Sequence, residues 1–261
     1  MELQAPSSWQ CADFISDLHL QATDRPTFAA WAAYMRATTA DAVFILGDLF
    51  EVWVGDDATQ VEGSFEAECV TVLRQAGERL ALFIMQGNRD FLMGAQLMQT
   101  CKAVALPDPT VLEFAGQRWL LSHGDALCVD DLDYQQFRQQ VRSPAWQQAF
   151  LVKPLAERQS IALGIRQASA SRKQGGSGYA DVDRDAALAL LTQAGASHLV
   201  HGHTHKPAQH PLGEGCMRTV LSDWDLNTKP IRAEVLRIMA GGGAAATPCR
   251  IPATLIARLG G

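Results

Sequence analysis

No apolar run in this 261-residue chain approaches the roughly 20 residues that a membrane-spanning helix needs. The expectation is a soluble protein, or one that rests on a membrane surface. The opening residues, MELQAPSSWQ, have neither a basic n-region nor an apolar h-region, so no secretory signal is expected. Paired cysteines are also missing: positions 11, 69, 101, 128, 216 and 249 include no Cys-x-x-Cys. That argues against a disulfide scaffold at this size and reads as reduced, cytosolic thiols. Positive charge is scarce, with 22 basic against 28 acidic residues and a net charge of −6, which excludes a general nucleic-acid partner. Nothing in the sequence points to an obligate protein partner.

Apolar residues are plentiful instead, at 48%, enough for a sizeable core in one elaborated α/β domain or two small ones. Five short apolar runs each end in a polar cluster: CADFI then SDLHL, AVFIL then GDLF, ALFIM then QGNRD, RWLL then SHGD, and SHLV then HGHTH. Such runs, rich in Ile, Val, Phe and Leu, predict buried strands. Helical patterns lie between several of them, at Phe28 to Thr38, within Phe65 to Leu82, and at Ala186 to Gln193, where Gly195 is a plausible C-cap. Strand alternating with helix predicts an α/β fold, with ligands bound beyond the carboxyl ends of the strands. All five polar clusters then gather on one edge. Met217 to Leu221, Trp224 and Ile231 to Met239 read as further strands.

The segment from about Asp130 to Tyr179 differs. It lacks strand signals, Pro144 and Pro154 divide it into short helical pieces, and seven basic against four acidic residues make it net +3. It reads as a helical insertion capping the strand-end site. The expected organisation is a core over 1–129 and 181–239, a lid over 130–180, and a Gly/Ala-rich tail over 240–261 that is expected to be weakly ordered.

The five clusters supply Asp17, His19, Asp48, Asn88, His123, His203 and His205. Carboxylates, an amide and imidazoles suit borderline cations such as Mn²⁺, Zn²⁺ or Fe²⁺. Seven ligands exceed one ion and fit two about 3.5–4 Å apart if one carboxylate bridges. Asp17 and His19, two apart at a strand end, can face the same side, and His203 and His205 repeat that spacing. Taken singly, each cluster has an ordinary explanation as a turn or cap. Five in this order, each closing an apolar run, are hard to explain that way.

The order D-x-H, GD, GN, H, GHTH resembles the calcineurin-like metallophosphoesterase superfamily over residues 12 to about 238. FISDLHL, LGDLFEVWVGDD, GNRDF, SHGDALCVDD and HGHTHKP narrow the resemblance to its UDP-2,3-diacylglucosamine pyrophosphatase family. The resemblance implies a sandwich of β-sheets flanked by helices, with a helical lid. It implies two Mn²⁺ ions, one held by Asp17, His19, Asp48 and His205, the other by Asp48, Asn88, His123 and His203. It further implies substrate contacts from Asn88, Arg89, Asp131 and His203, and from the lid loop, where Ser169 and Lys173 are the nearest matches. The loop SASRKQGGSGYADVD departs from the family in length and in its Gly-rich centre.

The implied reaction splits the pyrophosphate of UDP-2,3-diacylglucosamine into UMP and 2,3-diacylglucosamine 1-phosphate, a step of lipid A biosynthesis. A water activated between two cations attacks phosphorus. Asp48, Arg89 and His203 are the expected catalytic residues. Arginine is a poor general acid but grips phosphate bidentately. It suits a phosphate leaving group, whose last ionisation is near about 6; the alternative for Arg89 is a salt bridge to Asp90. Apolar lid residues would pack the core, hold acyl chains, or both, and basic ones would favour anionic lipid surfaces. The implied location is the cytoplasmic face of a Gram-negative inner membrane. Two other readings compete: a soluble phosphodiesterase or dinucleoside polyphosphate hydrolase, and a metal-bound scaffold without activity.

Overall fold

Strand β2 (Cys11–Ile15) and strand β3 (Ala42–Leu46) are buried along their whole length, as continuous apolar runs require. The computed structural model describes residues 1–174, 181–241, 246 and 248–259, without side chains for 168–174 and 259. A short β1 (Glu2–Gln4) precedes β2, and α1 (Arg25–Ala37) joins β2 to β3. Then follow α2 (Phe65–Gly77), β4 (Ala81–Met85), α3 (Ala95–Cys101), β5 (Ala103–Leu106), β6 (Thr110–Phe114) and β7 (Gln117–Ser122). Three helices come next, α4 (Leu132–Val141), α5 (Pro144–Leu151) and α6 (Leu155–Gln174). The chain closes through α7 (Arg184–Ala194), β8 (His198–His201), β9 (Ala208–Gly213), β10 (Cys216–Val220), β11 (Glu234–Met239), β12 (Pro248–Pro252) and α8 (Ala253–Leu259).

Local chemistry sets the helix ends. Asp24 accepts from the Thr27 amide ahead of α1, Ser64 from Ala67 ahead of α2, and Asp183 from Ala186 ahead of α7, so each caps an orphan N–H. Gly195 ends α7 in the left-handed region at φ 58°, where a Cβ is costly.

The strands form two six-stranded sheets, ordered β12-β11-β2-β3-β4-β5 and β1-β6-β7-β8-β10-β9. β2 to β5 run parallel, as do β7, β8 and β10. Period-2 alternation splits each run between two cores. Phe14, Phe44 and Phe83 stack at 4.9 and 4.6 Å between the sheets, against Phe114, Trp119 and Leu121. Their neighbours Ile15, Ile45 and Ile84 face outward to Trp31 and Leu73 of α1 and α2. Leu120 and Leu199 of the second sheet cover Ala187 and Leu191 of α7. Each large side chain so buried contributes about 1.5–3 kcal/mol. The result is the helix-flanked α/β sandwich that the resemblance implied.

Two expectations are corrected. The five strands do not share one sheet edge: β2, β3 and β4 belong to one sheet, β7 and β8 to the other. Trp224 is not in a strand but lies buried in the connection after β10, 5.9 Å from the Tyr34 ring. β12 pairs antiparallel with β11, and α8 packs on the first core through Ala253 and Ile256, burying apolar side chains that a Gly/Ala count does not weigh.

Candidate metal centre

The strand-end loops continue the parallel pairing after the strands stop. Asp17 N donates to Gly47 O (3.1 Å), His19 N to Asp48 O (3.0 Å) and Leu20 N to Leu49 O (2.9 Å). In the second sheet Gly202 N donates to His123 O (3.0 Å), and across the sandwich His203 N reaches Asp17 Oδ2 (2.9 Å). The ends of the two sheets are thereby joined at one place. Of the eight non-glycine residues with positive φ among the described residues, five are Asp17, His19, Asp48, His203 and His205 (φ 49–68°). Such backbone is sparsely populated and is held only when its surroundings over-determine it.

All seven expected ligands converge there. His19 Nε2 lies 3.1 Å from His205 Nε2, which lies 3.3 Å from Asp17 Oδ1. Asp48 faces both ways: Oδ2 is 4.0 Å from His19 Nε2, and Oδ1 is 3.7 Å from His123 Nε2. The Asn88 amide is 2.9 Å from both His123 Nε2 and His203 Nδ1. With its oxygen toward the rings, lone pairs meet; turned over, its N–H groups donate to the rings and to Asp48 Oδ2 at 3.2 Å. Two sets, Asp17/His19/His205 and Asp17/Asp48/His123, place their donor atoms within 4.8 Å of one another.

This donor set fits a divalent cation. Glycines clear the space around it: a Cβ on Gly87 would lie 2.1 Å from Asp48 Oδ1, and one on Gly202 would lie 2.3 Å from Asp17 Oδ2. The electrostatics agree. Burial raises the Asp17 carboxyl, but the His205 hydrogen bond and charge, with His123 and His19, hold it well below the usual carboxylate range. Burial works against the His123 cation, yet Asp48, Asp125 and Asp17 lift it to about 9. The same negative field attracts a metal ion. His203 goes the other way, to about 4, through burial and the nearby His123.

Around the ligands sit positioning groups. Asp90 is fully buried and accepts from Gly87 N (2.7 Å), Leu49 N (2.7 Å) and Phe50 N (3.2 Å), so it ties two ligand loops together. Burial and the Asp48 charge push its carboxyl up to about 6. Arg89 is not its ion-pair partner: Arg89 Nε lies 3.8 Å from Asp48 Oδ2 and Nη1 3.4 Å from Glu51 Oε1. Asp125, also buried, accepts from Tyr134 Oη (2.5 Å) and Arg138 Nε (2.8 Å) of α4. Arg142 Nη2 donates to Gly87 O (2.9 Å), and the Tyr134 ring lies 6.1 Å from that of His203. Asp56 caps α3 through Gly94 N (2.9 Å) and Leu97 N (2.9 Å), and Asp57 pairs with Arg158 of α6. His201 is a bystander: buried, its ring near the Gly202 carbonyl at 2.8 Å, its pKa driven down to about 3 by burial.

The remaining expectations divide. Asp131 is exposed and caps α4 by accepting from Tyr134 N (3.1 Å). Ser169 and Lys173 fall on the last turns of α6, where side chains lie outside the described residues. The basic residues of the helical segment were expected to favour lipid surfaces. Of these, Arg138, Arg142, Arg158 and Arg166 reach Asp125, Gly87 O, Asp57 and Glu51. Composition alone does not say which way an arginine points. Sequence reasoning gave Glu51 no role. Its only signal was a carboxylate three residues after the central Asp48.

The calcineurin-like phosphoesterase family matches residues 13–207 of this chain. UDP-2,3-diacylglucosamine hydrolase of Chromobacterium violaceum is 47% identical over 221 residues, covering 81% of this chain and 89% of that protein. The protein of the same name from Aromatoleum aromaticum is 43% identical, over 81% of this chain and 88% of its own. That of Stenotrophomonas maltophilia is 40% identical over 91% of this chain and 98% of its own. The chain therefore belongs to the calcineurin-like phosphoesterases and, among them, to the family of the UDP-2,3-diacylglucosamine hydrolases.

Proposed function

We propose that this protein is a metal-dependent pyrophosphohydrolase that converts UDP-2,3-diacylglucosamine to UMP and 2,3-diacylglucosamine 1-phosphate. The observation that carries the proposal is a seven-ligand cluster with Asp48 facing both halves, in a chain 40–47% identical to proteins bearing that activity in their names. Two Mn²⁺ ions are the proposed cofactors. Asp17, His19, Asp48 and His205 would hold one, and Asp48, Asn88, His123 and His203 the other. When bound, such ions supply Lewis-acid polarisation of a phosphoryl oxygen and lower the pKa of the attacking water.

The chain's own residues do the rest. Arg89, largely buried beside Asp48, offers a guanidinium to the phosphates and offsets charge that builds on the leaving phosphate. The backbone N–H of Arg89 donates to Asp48 Oδ1 at 2.8 Å, which aims that carboxylate. His203, driven toward its neutral form, keeps an imidazole nitrogen available as a ligand and places its ring beside the substrate phosphate. Asp131, Ser169 and Lys173 complete the proposed substrate contacts.

The segment 130–180, helical over much of its described part, serves as the lid over the acylated sugar. Leu132, Leu151, Val152 and Leu163 are exposed, with Val152 83% accessible, and support peripheral contact with the cytoplasmic face of the inner membrane. No described helix is long and apolar enough to cross a membrane. The test is Mn²⁺-dependent release of UMP from the acylated UDP-sugar, set against bis(p-nitrophenyl) phosphate and dinucleoside polyphosphates. The acylated substrate is expected to be preferred, and equal or lower turnover on it refutes the assignment. Asp48→Asn is expected to abolish turnover of all three.

A further inference from the structure

Glu51 stands one residue beyond the point where the β2 and β3 loops are still paired. Leu20 and Phe50 form a parallel bridge, and Glu51 N donates to Leu20 O at 3.1 Å. This zip places the Glu51 side chain beside His19. Its two oxygens then serve different neighbours. Oε2 lies 3.1 Å from His19 Nδ1, while Oε1 takes Arg89 Nη1 at 3.4 Å and the closer Nη2 of Arg166 from α6. The side chain is 23% exposed, Arg89 11% and Arg166 27%, so water screens this cluster less than an open surface pair.

Two constraints meet at this carboxylate. A histidine that offers Nε2 to a cation carries its ring proton on Nδ1, and an acceptor there fixes the tautomer. The contact from Oε2 is close though off the line of the ring N–H, and among the described residues His19 Nδ1 has no better-aligned acceptor. Arg89 and Arg166, one from the core and one from the helical segment, meanwhile converge on the same oxygen. Two guanidiniums repel, so the shared negative charge is what lets both stand at the rim of the ligand cluster.

We propose that Glu51 is a positioning residue that couples α6 to the metal centre, one oxygen orienting His19 and the other holding Arg89 and Arg166. The proposal rests on the cation-binding reading above. It makes the helical segment a part of the site's geometry, because a shift of α6 moves the carboxylate that aims a ligand.

Two readouts test it, neither using the acylated substrate. The first is calorimetric titration of Mn²⁺ into chelator-stripped protein. Glu51→Ala is expected to weaken Mn²⁺ binding by about 10–100-fold. Glu51→Gln, whose amide oxygen still accepts from Nδ1, is expected to stay within about threefold of wild type. The second is amide hydrogen exchange over residues 155–167. Glu51→Ala, Glu51→Gln and Arg166→Met are each expected to speed it by about two- to fivefold, the size of a partly exposed ion pair. Glu51→Met stands in should Glu51→Ala not fold. Wild-type Mn²⁺ affinity in Glu51→Ala, or unchanged exchange over α6 in the Glu51 variants, overturns the coupling. Asp48→Asn, expected to lose Mn²⁺ binding whatever the substrate, separates failure of this proposal from failure of the metal reading.

Discussion

Replacing Asp125 with Asn isolates the tie between the helical segment and the core. The Asp125 side chain has no exposure and receives Tyr134 Oη and Arg138 Nε on one oxygen, with Arg142 Nη2 at 3.9 Å. Asparagine keeps the shape and one acceptor oxygen, so no cavity forms and only the charge is lost. Hydrogen bonds to charged groups contribute about 1.5–3 kcal/mol each. Removing one partner of a buried pair outright costs about 3–5 kcal/mol. The retained oxygen and the relieved burial of a charge both reduce the loss. Arg138 is 22% exposed, which screens its share further. A net cost of about 2 kcal/mol follows, equivalent to a fall of roughly 4–8 °C in melting temperature at this chain length. Calorimetry should be run with chelator present, because a bound cation adds its own stabilisation and masks the difference. Hydrogen exchange over α4 should rise in parallel. A melting temperature within about 1 °C of wild type, with α4 exchange unchanged, refutes the claim that this carboxylate anchors the segment.

Other consequences are equally open to measurement. Arg89→Ala should raise KM for the pyrophosphate substrate by about 10–100-fold, the worth of a charge-assisted phosphate contact; an unchanged KM removes Arg89 from phosphate binding. Gly202→Ala would place a methyl 2.3 Å from both Asp17 Oδ2 and Ser16 Oγ. Overpacking of about 1–3 kcal/mol, seen in thermal unfolding, and weaker Mn²⁺ binding in titration should follow, and wild-type values of both would show that the loop yields. His198, half-buried against Trp119, has its pKa lowered by burial, so the unfolded chain binds its proton more readily. Its contribution to stability is complete above the unfolded value of about 6.5 and is lost as pH falls below it. An NMR titration of His198 should give a midpoint under about 6.5, and denaturant midpoints should decline over the same window less steeply in His198→Asn.

The half of the molecule that carries the candidate metal centre was legible in the sequence for a physical reason. Parallel strands covered on both faces are apolar almost throughout, so CADFI (broken only by Asp13), AVFIL and ALFIM announce their own limits, and the polar residues that follow mark the strand ends. Partition between sheets was not legible, since a buried strand reads the same in either. β12, PCRIP, carries two prolines and partial exposure, so neither periodicity nor composition reveals a strand whose stability comes from pairing with β11. The partners of Glu51 and Asp125 escaped for a related reason. A carboxylate near a ligand is an ordinary turn residue until the fold shows which arginine, 13 or 115 positions away, reaches it.

The left-handed backbone at five proposed ligand positions limits what can replace them. Aspartate, asparagine and histidine are, with glycine, the residues that enter that region most readily, whereas β-branched side chains are nearly barred. Those three are also hard and borderline ligands for divalent metals. Conformational tolerance and coordination chemistry therefore select the same short alphabet at Asp17, His19, Asp48, His203 and His205. Exchanges among its members keep the loops in place while changing the ligand field. Under the proposed metal reading, the scaffold can be retuned toward a different metal without being refolded, and substitutions outside that alphabet disturb backbone and coordination together.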